Sequence, residues 1–245
     1  MTEFDKTNWA KPDFSEQFIE KADVIVVERS RMLEILKSFF RHHRKDMGDN
    51  AVLDLGCGDG ILTHELLTVD PELSATLVDG SAAMLERAQG RLEGFTGINY
   101  VQASFQEMMT DDILRRGKKF DFIISSLAIH HMSSGEKKEL FGLVYSLLSD
   151  GGHFLNIDVV LAPTSALGGF YMNLWQEWID ERKALMGIED EGLDDIIRKY
   201  KEGEENKPDT LDYQLGALKD VGFRDVDCYY KYGIFTVFGG RKNDR

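Results

Sequence analysis

Cysteine and long apolar runs are scarce in this 245-residue chain, and each scarcity excludes a class of protein. Its two cysteines, Cys57 and Cys228, provide neither a disulfide framework nor a cysteine-based ligand set, and we predict no metal site. No apolar run approaches the length of a membrane span, and the acidic, polar amino terminus is unlike a signal peptide. We therefore expect a cytoplasmic protein without a membrane partner.

Positive charge is also in short supply. The chain has 29 Lys and Arg residues against 43 Asp and Glu residues, which gives a formal net charge of −14. Such a balance repels phosphate backbones, and no basic run with interleaved aromatic residues offsets it. The sequence therefore disfavours a nucleic-acid partner, while its 42% hydrophobic content is sufficient for a substantial core.

Short apolar strands alternate with helical segments from residue 51 onward. Strands are predicted at 51–55, 74–79, 98–103, 120–127 and 153–160, with helices at 61–69, at 81–95 and from 134 to a stop at Gly151 and Gly152. Two closing strands, 226–233 and 234–240, join at Gly233, and so short a join is typical of a β-hairpin. This order predicts an α/β fold with a doubly wound, mostly parallel sheet and an antiparallel hairpin at one edge.

The glycines of "VLDLGCGDG", residues 52–60, follow the first strand and let backbone approach a ligand closely. A Walker P-loop is excluded because no Gly-Lys-Ser/Thr follows, and the spacing G-x-G-x-G departs from the dinucleotide fingerprint. Asp54 lies two residues before the first glycine, where its carboxylate would repel a pyrophosphate and attract an ammonium group. The motif therefore predicts a ligand with a cationic end, such as S-adenosylmethionine (SAM). Asp79, which closes the second strand, is placed to accept both ribose hydroxyls.

Together, "VLDLGCGDG" and "LVDGSAAML" make the chain resemble the class I SAM-dependent methyltransferases from about residue 50 to the final hairpin. The resemblance implies a Rossmann-like, seven-stranded sheet, SAM as cofactor and S-adenosylhomocysteine as product. It also implies an enzyme that methylates a small-molecule acceptor, which the sequence does not identify. The implied cofactor-binding residues are Asp54, Gly56, Cys57, Gly58, Gly60, Asp79, Gly80, Met84, Ala103, Ser104, Phe105 and Ser126. Many members have Asp where this chain has Ser104, so the contact to the adenine amino group is either lost or made by backbone.

Two segments lie outside the alternating pattern. Residues 14–44 have helical spacing, and we predict an amino-terminal helical lid at 1–48, with Trp9 and Phe14 folding over the cofactor. The SAM-binding domain is expected at 49–245, with a helical cap insertion at about 161–208. The insertion carries an aromatic face that includes Tyr171, Trp175 and Trp178; it either roofs the acceptor pocket or packs as core. Whether the chain forms a homodimer stays open.

His130 follows the fourth strand, where a histidine recurs in small-molecule members of the family, and it is the predicted general base. Packing alone is the competing interpretation of that histidine. The chain also resembles carboxy-SAM synthases of tRNA modification, which bind a carboxylated SAM through an added Arg. Arg198 lies in the corresponding region, whereas Ser126 stands where those enzymes have Asn. A third alternative is a non-catalytic SAM-binding module.

Overall fold

One twisted sheet organises the part of the chain that the computed structural model describes, residues 4–46, 48, 50–111, 113–114 and 119–244. In that part the strands are β1 (Ala51–Leu55), β2 (Ser74–Asp79), β3 (Ile98–Gln102), β4 (Phe120–Ser126), β5 (Leu148–Val159), β6 (Arg224–Tyr232) and β7 (Phe235–Arg241). Their order across the sheet is β3-β2-β1-β4-β5-β7-β6. The first five strands are parallel, and β7 and β6 pair antiparallel to their neighbours.

Helices cover both faces of the sheet, because each crossover between parallel strands needs a connection long enough to return the chain. The helices are α1 (Pro12–Ile25), α2 (Arg29–His43), α3 (Ile61–Leu67), α4 (Ala82–Arg91), α5 (Phe105–Thr110), α6 (Ser134–Leu147), α7 (Ser165–Met186), α8 (Glu191–Asp194), α9 (Ile196–Glu202) and α10 (Leu211–Val221). Short 3₁₀ turns lie at Phe4–Lys6, Asn8–Ala10, Arg44–Asp46 and Ile129–His131.

The core forms two layers, because successive side chains of a strand face opposite sides of the sheet. On β1, Val52 packs into the layer beneath α2, α3 and α7, whereas Leu53 and Leu55 pack toward α5, α6 and α10. On β4, Phe122 and Ile123 divide in the same way. Both faces of the central strands are therefore apolar, which explains their nearly continuous hydrophobic runs.

The amino-terminal helical region differs from the sequence prediction in one respect. The stretch predicted as helical over 14–44 is two helices, and they meet at Glu28, whose backbone is left-handed with a φ of 51°. The last turn of α1 closes with the Val26 N–H donating to the Ala22 carbonyl. The predicted boundary between residues 48 and 49 adjoins positions 47 and 49, which lie outside the described part.

The predicted stop of α6 at Gly151 and Gly152 is wrong. The helix ends at Leu147, and both glycines lie inside β5. The register of β5 against β4 shifts between Phe120 and Phe122, and Gly151 has a φ of 77° there. A Cβ on Gly152 would lie 3.1 Å from the Asp121 carbonyl oxygen, so these glycines allow a close strand approach. The helix or loop expected near 106–118 begins as α5; residues 112 and 115–118 lie outside the described part.

Candidate functional site

A cavity of about 330 Å³ opens beyond the carboxyl ends of β1, β2 and β4, the edge where open α/β sheets bind ligands. Of the predicted cofactor residues, those that line it are Asp54, Gly56, Cys57, Gly58, Asp79, Gly80, Met84, Ser104, Phe105 and Ser126. Gly60 and Ala103 are not among the described lining residues and lie behind it, next to Ala88 and Asp79 respectively. Sequence motifs far apart in the chain thus meet in one cavity.

The turn between β1 and α3 forms one wall of the cavity. Gly56, Gly58 and Gly60 all have positive φ, and a Cβ on Gly56 would lie 2.6 Å from the Ala128 Cβ. A Cβ on Gly58 would meet nothing within 4 Å, so at that position the backbone borders open space. The turn can therefore present its backbone directly to a ligand, as the sequence predicted.

Asp54 is the most deeply buried carboxyl group of the site, with 0% of the residue exposed. The Thr63 hydroxyl donates to its Oδ2 at 2.7 Å, and Oδ1 has no hydrogen-bond partner in the described part of the chain. Burial first, and then the nearby carboxylates Asp79 and Asp59, raise the pKa of Asp54 to about 7, although the hydrogen bond from Thr63 lowers it. A buried acceptor without a partner in a negative environment favours a cationic ligand group.

Asp79 lies at the end of β2, directly opposite the glycine turn. The Gly58 N–H donates to its Oδ2 at 2.9 Å and the Ser81 N–H donates to its Oδ1 at 2.8 Å. Burial raises the pKa of Asp79, while these two backbone donors lower it. The carboxylate is thus held rigidly between two loops, and each oxygen keeps a lone pair for a ligand hydroxyl.

Ser104 has a local role in the structure. Its hydroxyl accepts from the Glu107 N–H at 3.3 Å and donates to the Glu107 carboxylate at 2.7 Å, which forms a capping box at the start of α5. The hydroxyl and the backbone N–H of Ser104 are therefore both engaged with Glu107. Phe105 follows, and its ring lies 3.3 Å from the position of a Cβ on Gly56.

The two histidines after β4 occupy different environments. His130 is 6% exposed, and its backbone N–H and its Nδ1 both contact the Asp158 carboxylate, at 3.0 and 2.6 Å. It is not among the described residues that line the cavity, whereas His131 is. His131 Nδ1 lies 3.0 Å from the Glu205 carbonyl oxygen, and its Nε2 is buried without a partner in the described part. The sequence favoured His130 as the general base, whereas in the structure it is His131 that lines the cavity.

The amino-terminal segment supplies the side of the cavity opposite the sheet. Its lining residues are Phe4, Thr7, Trp9, Ser15, Phe18, Ile19, Ala22, Val26, Arg29, Met32 and Leu33. The Phe4 ring packs on Gly80, where an added Cβ would lie 2.8 Å from it. Trp9 lines the cavity as expected, but Phe14 is exposed. The lining residues of α1 and α2 recur at helical spacing, the one signal that could have found them.

The helical insertion contributes little to this cavity. Among the described residues of 161–208, Lys207 alone belongs to the lining. The indole N–H groups of Trp175 and Trp178 donate to the carbonyls of Ile25 and Val24 at the end of α1. The aromatic face of α7 therefore packs against α1, and Tyr171, Trp175 and Trp178 are not among the described residues that line the cavity.

Arg198 lies away from the cavity on the exposed side of α9. Its guanidinium pairs with Asp195 at 2.8 Å and with Glu202 at 2.9 Å. It is not among the described lining residues, so it does not supply a carboxylate-binding group to this cavity. No cluster of three or more His, Cys, Asp or Glu side chains in the described part is placed to hold a metal ion, and none of its helices could cross a bilayer.

Comparison with known proteins gives matches that include the glycine turn and Asp79. A family model described as a methyltransferase domain matches residues 47–205. A carboxy-S-adenosyl-L-methionine synthase of Nautilia profundicola is 22% identical over 214 residues, covering 84% of this chain and 80% of that protein. An uncharacterized methyltransferase of Mycobacterium tuberculosis is 30% identical over 129 residues, covering 53% of this chain and 60% of that protein.

Two solved structures show the same fold at low identity. An O-methyltransferase family protein from Burkholderia thailandensis superposes with a TM-score of 0.65 at 14% identity; the alignment covers 98% of this chain and 63% of that one. The magnesium protoporphyrin IX methyltransferase of Synechocystis, solved with bound S-adenosylhomocysteine, has a TM-score of 0.60 at 15% identity, with 96% of each chain covered. The predicted fold class is confirmed.

Proposed function

Because the chain belongs to the methyltransferase domain family, we propose that it transfers a methyl group from SAM to a small-molecule acceptor bound beneath the amino-terminal helices. The predicted family and the predicted enzyme class, a methyltransferase, are confirmed by the match to residues 47–205. SAM, the site residues, the lid and the acceptor belong to our proposal.

The single observation that carries the proposal is Asp54 Oδ1, which lies beside the glycine turn and has no partner among the residues that the structure describes. The ammonium group of a methionine moiety would give this buried acceptor the partner it lacks. Asp79, fixed by two backbone donors, would accept the ribose hydroxyls at the next strand end. When bound, SAM supplies an electrophilic methyl group on a sulfonium; the chain's own groups orient the acceptor and exclude water.

The covering by Phe4, Trp9 and helices α1 and α2 supports the proposed lid. Their side chains are mostly apolar, and they face the glycine turn across the cavity. The Asn8 N–H donates to the Glu205 carboxylate at 2.9 Å, which ties the 3₁₀ turn Asn8–Ala10 to the end of the insertion. An acceptor that entered here would be shielded from water, as in other enzymes that close over their substrates.

His131 replaces His130 as our candidate base. A carbonyl oxygen only accepts, so the contact with Glu205 places the hydrogen on Nδ1 and leaves the lone pair on Nε2. Burial and the neighbouring His130 hold the pKa of His131 well below its usual range, so the imidazole is neutral near pH 7. Lys137 and Lys207 act in the same direction. A neutral imidazole beside the cavity can accept a proton from an acceptor hydroxyl or amine.

The test of this function has two stages. Mass spectrometry of small molecules released from the purified protein should detect SAM or S-adenosylhomocysteine. A panel of phenols, amines, thiols and carboxylic acids incubated with SAM should then include compounds that yield S-adenosylhomocysteine above the no-acceptor rate. Absence of any SAM binding in calorimetry would overturn the cofactor assignment. SAM binding without turnover on any acceptor would favour the non-catalytic alternative.

A carboxy-SAM synthase-like function is the second candidate, favoured by the relative whose alignment covers 84% of this chain. Against it, Arg198 is paired on the surface and does not line the cavity. The same mass measurement separates the candidates, because a carboxylated ligand differs from SAM by the mass of the added carboxyl group. Detection of that ligand would replace our proposal with the synthase function.

A further inference from the structure

Few basic side chains line the cavity, and their positions indicate where an anionic group of a ligand could bind. Among the described lining residues, the basic side chains are Arg29 and Lys207, whereas four carry a carboxylate: Asp54, Asp59, Asp79 and Glu136. Lys207 lies close enough to His131 and Glu136, two other lining residues, to act on both electrostatically. Arg29 lies at the start of α2, where the break at Glu28 turns the chain back across the cavity.

The packing of α2 on α3 sets where Arg29 lies relative to the glycine turn. Lys37 pairs with Glu65 at 2.9 Å, and Arg44 pairs with Asp70 at 2.8 Å, so the two helices run side by side in the same direction. Leu33 lies one turn before Lys37 on α2. It lines the cavity, as does Ile61, the first residue of α3. Arg29 lies one more helical turn toward the amino end of α2. It is therefore beside the glycine turn that precedes α3.

The guanidinium of Arg29 is anchored at one nitrogen and available at the others. Its side chain is 20% exposed, and one terminal nitrogen lies 2.6 Å from Asp23 Oδ1. In the described part of the chain, the other guanidinium nitrogens have no hydrogen-bond partner. A planar guanidinium that is held from one side can bind a carboxylate through two parallel hydrogen bonds. The amino end of α2 adds a partial positive charge at the same place.

We propose that Arg29 binds the carboxylate of the amino-acid end of the ligand that lies against the glycine turn, with Asp23 holding the guanidinium in position. This inference rests on the proposed function, in which that ligand is SAM. Asp54 and Arg29 then recognise opposite charges of one zwitterion, the ammonium and the carboxylate of the methionine moiety. The amino-terminal helices thereby take part in holding the cofactor as well as in covering the cavity.

The experiment compares ligands that differ only in this carboxylate. Calorimetric titration of the full chain with SAM and with decarboxylated SAM should give a clear preference for SAM. In Arg29→Gln, SAM affinity should fall about 10- to 100-fold, with decarboxylated SAM changed less than threefold. Arg29→Lys should recover part of the SAM affinity, since it keeps the charge and loses the fork. Arg31→Gln, an exposed arginine of the same helix, is the matched control and should bind both ligands like the unmodified protein.

Each other outcome has a definite meaning. An equal loss for both ligands in Arg29→Gln, or no loss for either, would overturn the proposal. Unchanged SAM affinity with a raised KM for a carboxylate-bearing acceptor would assign Arg29 to the acceptor and would also overturn it. No binding of SAM by the unmodified protein would instead refute the proposed function. Thermal midpoints within 2 °C across the variants, a difference of about 1 kcal/mol or less, would exclude misfolding as the cause.

Discussion

Asp54 is a fully buried carboxyl group whose pKa lies far above that of a free aspartate side chain. Its pKa of about 7 means that the carboxyl group is largely protonated at pH 6. A cationic ligand favours the ionised form, so binding below pH 7 must release a proton, and affinity must rise with pH. We expect SAM affinity to increase about 10- to 30-fold between pH 5.5 and 7.5, a range below the titration of a free α-amino group.

Calorimetry in two buffers with different ionisation enthalpies checks this expectation. The unmodified protein should release close to one proton per SAM at pH 5.5 and progressively fewer toward pH 7.5. Asp54→Asn should bind SAM more weakly and without proton release. The same proton release in Asp54→Asn would show that another group titrates.

Asp79 should contribute to ligand binding rather than to folding. Asp79→Ala removes the carboxylate proposed to accept two ribose hydroxyls, and the loss should cost roughly 2–4 kcal/mol of SAM binding, or one to three decades in affinity. Because Asp79 also accepts the Gly58 and Ser81 N–H groups, Asp79→Asn is the milder companion variant. Unchanged affinity in calorimetric titration of either variant would contradict the ribose role.

His131 and His130 should give separable phenotypes, although they are adjacent. Replacing the candidate base in His131→Asn should lower kcat about 10²- to 10⁴-fold for an acceptor that carries a proton. SAM affinity should stay within threefold. The loss should shrink at high pH for a phenol, since a pre-ionised acceptor needs no base. His130→Asn breaks the contacts with Asp158 and should mainly lower the thermal midpoint.

Kinetics with one acceptor found in the panel decide between these histidines. A loss of turnover confined to His130→Asn, with His131→Asn active across the pH range, would return the role to the residue that the sequence favoured.

At the scale of the elements, α7 acts as a structural support for the amino-terminal helices. Trp175 is 4% exposed, donates to the Ile25 carbonyl at 2.7 Å and packs against Tyr200 and Phe235. Trp175→Ala would leave a cavity and an unpaired carbonyl, and we expect a loss of about 3–5 kcal/mol in the free energy of unfolding. Phe170→Ala, on the same helix but 53% exposed, is the control and should cost less than about 0.5 kcal/mol.

Denaturant unfolding and SAM titration together test this role. A Trp175→Ala variant that keeps its stability but loses turnover would restore the interpretation of α7 as a mobile roof of the acceptor pocket.

The same elements show what sequence can and cannot provide. The alternation of strands and helices and the glycine turn follow from local pattern. Burial on both faces selects apolar residues such as Val52, and close backbone approach selects glycines such as Gly58. The break at Glu28 has no such signal in the sequence, since a residue other than glycine takes the positive φ there. The choice between His130 and His131 depends on Asp158, a strand away. Tertiary contacts thus decide what the periodicity of the sequence leaves open.

For the whole molecule, two buried ionisable groups on the face of the sheet that α2 and α3 cover should make stability depend on pH in opposing ways. Burial, and then the proximity of His43 and Arg241, lower the pKa of His153 to about 3. The unfolded chain therefore binds the proton first, and this contribution is present above pH 6.5 and lost as pH falls toward 3. Asp54 has the opposite sign, because its pKa is raised to about 7. Its contribution is present below pH 4 and is lost as pH rises through 7.

The contributions of His153 and Asp54 to the free energy of unfolding partly cancel in the unmodified protein. Comparing each variant with the unmodified protein at two pH values separates them. We expect His153→Gln to gain relative stability as pH falls from 6.5 to 5.5, by up to about 1.4 kcal/mol, the linkage limit for one group per pH unit. Asp54→Asn should lose relative stability over the same step by a similar amount. Denaturant unfolding at both pH values measures each difference, and His64→Gln, on α3 away from His153, serves as the control. Parallel pH profiles for His153→Gln and the unmodified protein would show that His153 takes up its proton equally in the folded and unfolded states. The buried imidazole beside His43, 4.1 Å from ring centre to ring centre, would then be no source of acid sensitivity.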